Sequence, residues 1–249
     1  MSNGITMHRI DLMGCPMDVA SMNETVNLID SAVAEGPFTQ HVVVNVAKLV
    51  NMRKDAELDA SVRECDIINI DGMGVVLGAR LLGHDVPERV AGVDLFHQLL
   101  AMSAQRGYSV YLLGAKDDVV AETARRVQQQ YPGLKLAGYH HGYFWDDEQA
   151  MVERIRESGA QLLFVAITSP KKENFINRWR DQLGVTFVMG VGGTFDVVAG
   201  KVKRAPLWMQ KYGLEWLYRV LQEPGRMWKR YLVTNCQFAW MLLKAKLRR

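Results

Sequence analysis

Six apolar, β-branched runs alternate with stretches of helical periodicity, and that alternation narrows the fold more than any other feature of the chain. The runs are "HVVVNV" (41–46), "DIINI" (66–70), "YSVYLLG" (108–114), "LKLAG" (134–138), "QLLFVAI" (161–167) and "VTFVMGVG" (185–192), with "HRIDLMG" as a further strand near the N-terminus. Between them, apolar spacing predicts helices over 23–34, 46–63, 73–82, 94–106, 117–130, 147–158 and 171–182. Strands that are apolar on both faces and separated by helices belong to a mostly parallel sheet covered on both sides, an α/β class. In such sheets ligands bind beyond the carboxyl ends of the strands. The loops "NVAK", "DGMG", "GAKDD", "GYHHGYF", "TSPKKE" and "GVGGTFD" are therefore where function is expected.

After residue 200 the pattern changes. "GLEWLYRVLQ" has Leu214, Leu217, Tyr218 and Leu221 at helical spacing, "EPG" breaks it, and a second helix is expected from about Arg226 to Lys246. Residues 201–249 carry 12 Lys+Arg against 2 Asp+Glu, or +10, and four of the six Trp. Residues 1–200 carry 18 against 25, or −7. The expected organisation is a core over 1–200 and a basic, Trp-rich helical appendage over 201–249. Such a tail calls for an anionic partner: nucleic acid, anionic lipid or a diphosphate. A helix with a solvated basic face is the plainer alternative.

Composition excludes several classes. Three widely spaced cysteines form neither a disulfide framework nor a zinc pattern, and a reducing, cytoplasmic setting is expected. No basic-then-apolar leader pattern opens the chain, and no apolar run reaches the ~18 residues of a spanning helix. The six His form no HExxH, no DxD ends a strand, and neither GxSxG nor GxxxxGK[ST] occurs. No metal and no cofactor is expected. "GVGGTFD" and "LLGAKDD" can each cradle a phosphate with backbone N–H groups, although a tight turn explains either equally well. In "NIDGMGVV", Asp71 stands where a strand meets a helix. It either caps that helix or serves as a base toward a hydroxyl in a partly desolvated pocket.

Taken in order, "NIDGMGVVLGARLLG", "ERVAGVDL", "VYLLGAKDDV", "YPGLKLAGYHHGYF", "SPKKENF", "GVGGTFDVVAGKVKRAP" and "GLEWLYRVLQEPGRMWKRY" are more specific than any one block. From about residue 8 to residue 235 the chain resembles the WecG/TagA/CpsF glycosyltransferase family. The resemblance implies a Rossmann-like body of the GT-E type with a C-terminal helical appendage. It also implies an inverting, metal-independent transfer from a UDP-sugar to a saccharide on a polyprenyl diphosphate, in bacterial surface polysaccharide synthesis. N-acetylmannosaminuronic acid, N-acetylmannosamine and glucose are the donor sugars it brings. The implied location is cytoplasmic, peripheral on the inner face of the cell membrane, with an anionic membrane surface as partner; homo-oligomerisation stays open.

Residue by residue, the resemblance assigns Asp71 as base and Asn45 as a polar pocket residue. It places Gly114, Pro170, Lys171, Lys172, Glu173, Gly192, Gly193 and Asp196 on the donor side. Arg89, Arg204, Arg219, Arg226 and Arg230 fall to the acceptor and its diphosphate. Val43 stands where the family often has Thr, and Lys172 where it has Gln. Lys172 is open to two readings, a contact to the donor diphosphate or acidic sugar, or a sign of altered activity. An inactive, membrane-associated nucleotide-sugar-binding homologue is thus the second reading. A nicotinamide oxidoreductase fails for want of GxGxxG after the first strand. A nucleic-acid binder fails because the basic residues keep company with Trp and Leu rather than a reader motif.

Overall fold

The computed structural model describes residues 7–248; Met1–Thr6, Arg249 and the Arg226 side chain lie outside what it describes. Its sheet has eight strands in the order β1-β2-β4-β3-β8-β7-β5-β6. These are β1 (His8–Leu12), β2 (Cys15–Val19), β3 (Thr39–Val44), β4 (Ile67–Ile70), β5 (Ser109–Gly114), β6 (Lys135–His140), β7 (Leu162–Ala166) and β8 (Phe187–Gly190). Only β1 runs antiparallel to its neighbour.

The N-terminal segment holds one strand more than expected. "CPMDV" is a strand, β2, closed on β1 by a two-residue turn with Met13 at φ 52° and Gly14 at φ 79°. Two positive φ values in succession are what a tight hairpin needs to match the strand twist. Asp18 of β2 is buried, and it is satisfied by Arg9 at 2.7 and 2.8 Å and by the Ile68 N–H at 2.7 Å.

Twelve helices are described: α1 (Met22–Glu35), α2 (Val46–Met52), α3 (Ala56–Arg63), α4 (Met73–Leu81), α5 (Gly92–Arg106), α6 (Asp117–Gln130), α7 (Glu148–Glu157), α8 (Lys171–Trp179), α9 (Thr194–Val198), α10 (Leu207–Lys211), α11 (Glu215–Gln222) and α12 (Pro224–Leu247). The single helix expected over 46–63 is two, because Asp55 caps a fresh start with its side chain accepting from the Leu58 N–H. One sheet face is covered by α1, α5, α6 and α9 around Phe96, Phe164, Phe187 and Phe195. The other carries α2, α3 and α4 around Leu49, Ile68 and Val76, and α7 and α8 around Phe175 and Leu163.

The appendage is seated on this second face. Phe238 is 6% exposed and belongs to the core cluster of α2 and α4, with Met241, Leu242 and Ala245 packed beside it. Gly78 of α4 makes room for it: a Cβ there would lie 2.8 Å from the Phe238 ring. Lys54 Nζ to Gln237 (2.9 Å) and Lys246 Nζ to the Leu81 carbonyl (3.1 Å) tie the same face. "EPG" does separate two helices, but Pro224 is the first residue of α12, where its missing N–H costs nothing. Trp228, Leu232, Trp240, Leu243 and Leu247 on α12 remain exposed. No helix among the described residues is long and apolar enough to cross a membrane.

Candidate active site

The parallel strands bring their carboxyl ends to one edge of the sheet. The chain leaves β3 toward α2 on one face and leaves β8, its neighbour, toward α9 on the other. Adjacent strands whose loops part to opposite faces open a crevice between them. Asn45 follows β3, Asp71 follows β4, and Gly192 and Gly193 follow β8, so three loops of the expected site meet there.

Asp71 and Asn45 are held opposite each other. Val44 and Ile70 are partners in the ladder, and the Asp71 N–H donates to the Val44 carbonyl at 2.9 Å. Neighbouring strands at this spacing place the two residues ~5 Å apart along the hydrogen-bond direction. Asn45 is a helix cap: its side-chain oxygen accepts from the Lys48 N–H at 3.0 Å and fixes the start of α2. Asp71 is not a cap. Gly72, at φ 101°, is the N-cap residue of α4 and supplies no side chain. Among the described residues the part-buried Asp71 carboxylate has no hydrogen-bond or ion-pair partner. Burial raises its pKa above the ordinary aspartate value, with Arg89 opposing and Glu215 reinforcing the rise.

Gly192 has φ 54° and open space where a side chain would stand. Gly193 precedes α9, and Asp196 sits part-buried in the first turn with its backbone carbonyl accepting from Lys201 and Val202. Gly114 lies at the end of β5, where a Cβ would be 2.4 Å from the Ala166 carbonyl oxygen, so its glycine is explained by strand contact. Pro170 precedes α8 and follows a cis peptide bond. Lys171 is exposed, its Nζ 4.9 Å over the Trp145 ring.

Lys172 and Glu173 lie in the first turn of the expected helix, but both are buried, whereas the resemblance places them on the donor side. Lys172 is 6% exposed, and its stem crosses Gly190, where a Cβ would lie 2.8 Å from Cε. Glu173 Oε1 accepts both Lys172 Nζ at 2.6 Å and Lys48 Nζ at 2.8 Å, all three residues being buried. Burial pushes Glu173 up, but the two lysines outweigh it and hold the carboxyl at about 2. Burial, with repulsion from Lys48, brings Lys172 down to about 8.

The arginines divide into two sets. Arg89 donates to Glu215 of α11, and Arg204 clasps Asp94 of α5 through bonds of 2.5 and 2.7 Å while standing 3.8 Å from Glu215. Both are already paired with protein carboxylates. Arg219 and Arg230 are exposed and have no ion pair among the described residues; Arg219 is close enough to act on Asp71, and Arg230 on Lys172. Arg226 lies in α12 with its side chain outside the described residues. Two open depressions of about 470 Å³ lie elsewhere, one around His97 and Arg126 and one around His140, His141 and Arg154. Lys48, Asp94 and Glu215 were missed as site neighbours. The visible signals were a lysine inside the apolar "NVAKLV" and acids inside "GVDL" and "GLEW".

The sequence has known relatives. The family model for the glycosyl transferase WecG/TagA/CpsF family matches residues 10–249. An N-acetylglucosaminyldiphosphoundecaprenol N-acetyl-beta-D-mannosaminyltransferase of Bacillus spizizenii is 40% identical over 194 residues, 78% of this chain and 73% of that one. A protein of the same description from Bacillus subtilis is 37% identical over 179 residues, 72% of this chain and 69% of that one. With a match that runs from β1 to the last helix, the chain belongs to the WecG/TagA/CpsF family of glycosyltransferases.

Proposed function

We propose that the protein transfers a sugar, N-acetylmannosamine in first place, from a UDP-sugar to N-acetylglucosamine carried on a polyprenyl diphosphate. The observation that carries the reading is the uncapped, unpaired carboxylate of Asp71 at the mouth of the crevice. The relatives' described activity supplies the acceptor and the sugar.

In this reading transfer is a single inverting displacement. An acceptor hydroxyl oxygen attacks the anomeric carbon, Asp71 takes its proton, and the bond from that carbon to the UDP oxygen breaks. A base with a raised pKa suits this task, because a more basic carboxylate takes the hydroxyl proton more readily. Charge growing on UDP is met by backbone N–H groups of the Gly192–Gly193 turn and by the unpaired Arg219 and Arg230, without a metal ion. The exposed Trp and Leu of α12 and the basic tail favour docking on an anionic leaflet, where each Lys or Arg contributes about 1 kcal/mol.

The test is turnover of UDP-N-acetylmannosamine with a lipid-diphosphate N-acetylglucosamine acceptor, with and without EDTA, and the anomeric configuration of the product. Asp71→Asn should lower kcat by about 100-fold or more with unchanged melting. Wild-type protein that turns over none of a panel of UDP-sugars would favour the non-enzymatic reading. An Asp71→Asn variant as active as wild type would remove Asp71 as base.

A further inference from the structure

Charged groups act on Asp71 from four segments, and Arg89 is held next to it by the N–H of Val90, which donates to the Ile70 carbonyl at 2.9 Å. Lys48 comes from α2, Arg89 from the stretch between α4 and α5, Arg204 from the stretch before α10, and Glu215 and Arg219 from α11. Four of the five are cations. Such an excess should draw the carboxylate into an ion pair, and an ion-paired carboxylate is a poor proton acceptor. Yet Asp71 has no ion pair among the described residues.

The cations are occupied elsewhere. Lys48 belongs to Glu173 at 2.8 Å, and Arg204 belongs chiefly to Asp94. Arg89, 14% exposed, donates to Glu215 Oε2, while Arg204 approaches Glu215 Oε1 at 3.8 Å. Arg219 is left, on the solvent side. Glu215 stands in the first turn of α11, and the chain before it is pressed against the site. At Gly213 a Cβ would lie 2.6 Å from the Met73 Cβ, two residues after Asp71. Nothing in the displacement itself requires a second carboxylate here.

Accepting Asp71 as the base, we propose that Glu215 is a positioning residue for the transfer: it takes up the Arg89 guanidinium that would otherwise pair with Asp71, and so keeps the base free while tying α11 over it. Glu215 thus acts through Arg89 and does not touch the reacting atoms. It adds to the appendage a role separate from supplying cations.

The experiment follows the ¹³C carboxyl titration of Asp71 in the full chain, alongside the pH dependence of kcat, for wild type, Glu215→Gln, Glu215→Asp, Arg89→Gln and the double variant Glu215→Gln/Arg89→Gln. In Glu215→Gln the released Arg89 should lower the Asp71 midpoint by about one unit and reduce kcat about tenfold, with the acid limb of the profile moving the same way. Glu215→Asp keeps the charge and should restore the wild-type midpoint. Glu215 also raises Asp71 by its own charge, so the double variant is compared with Arg89→Gln alone: without Arg89 the Glu215 change should move the midpoint far less than it does in wild type, and an equal shift in both backgrounds would mean that Glu215 acts only by its own charge and overturns the proposal. An Asp71 midpoint unmoved or raised in Glu215→Gln overturns the proposal, even if activity falls, because loss of anchoring alone would leave the titration in place. The titration needs no turnover. A chain that transfers no sugar therefore refutes the proposed function while the Glu215 result stays readable.

Discussion

Replacing Glu173 by Gln should unfold the protein far more readily than its isosteric change suggests. The carboxylate is 3% exposed, and one of its oxygens accepts both Lys48 at 2.8 Å and Lys172 at 2.6 Å. An amide leaves two buried ammonium groups without a counter-charge. Breaking a buried ion pair from one side costs about 3–5 kcal/mol. The ionisation of Glu173 yields a second estimate. Its carboxyl is held at about 2 against an ordinary 4.5, which corresponds to about 3 kcal/mol. Because the folded pKa is depressed, this stability is fully present above pH 4.5 and lost as pH falls toward 2. Lys172→Met should behave oppositely. Lys172 is depressed to about 8, so at neutral pH the fold bears the cost of keeping it charged in a buried site. Its removal leaves Lys48 and Glu173 as a neutral pair and should be near neutral or stabilising. Urea denaturation at pH 7 decides the matter, with the slope checked for constancy so that midpoints report stability. A Glu173→Gln cost below about 1 kcal/mol, or a Lys172→Met cost equal to it, would refute the idea that Glu173 neutralises a repelling pair.

Two further outcomes follow from the same reasoning. His41 is 1% exposed, bonded through Nε2 to Asn69 at 2.8 Å, and burial lowers its pKa to about 4. Its folded pKa lies below the unfolded value of about 6.5, so stability should decline by about 3 kcal/mol as pH falls from 6.5 to 4. His41→Gln should flatten that stretch of a melting-temperature profile, and a slope unchanged by the substitution would assign the loss to other groups. Phe238→Ala removes the ring that fills the hollow over Gly78 and should cost about 3 kcal/mol. Hydrogen exchange should then accelerate along α12 while β3 and β8 stay protected; uniform acceleration would mean that α12 unfolds only with the body.

The strands were legible because a buried parallel sheet demands β-branched residues in consecutive positions, and "HVVVNV" or "QLLFVAI" satisfies no helical period. β2 was not, since "CPMDV" contains a proline and an acid. Both are tolerated there for tertiary reasons: Asp18 is neutralised by Arg9, and the strand pairs with β4 at a single register position. The same limit governs the site. Whether Asp71 caps a helix or stands free turns on the φ of Gly72, which makes the glycine the cap residue and leaves the acid one position outside it. Residue types at a strand–helix junction are identical in the two cases. Lys172 reads as an exposed cation at a helix start because its neighbours in the chain are polar. Its burial depends on Gly190 and Lys48, which no local period brings near it.

The partners of the arginines raise the same issue at longer range. Arg89 and Glu215 are 126 residues apart, and Arg204 and Asp94 are 110 apart. A motif reading counts the basic residues of the tail and expects them all to meet phosphate. Folding divides them: Lys201 and Arg204 pair with Asp118 and Asp94 of the body, and others are left exposed with charge to offer. The +10 of the final segment is therefore an upper bound on what an anionic substrate or lipid surface meets, since part of it is used within the fold. That division also explains how an acid can keep its basicity amid so many cations. The acids that quench them, Glu215, Asp94 and Glu173, are supplied by α11, α5 and α8, and each binds its cation more closely than Asp71 does.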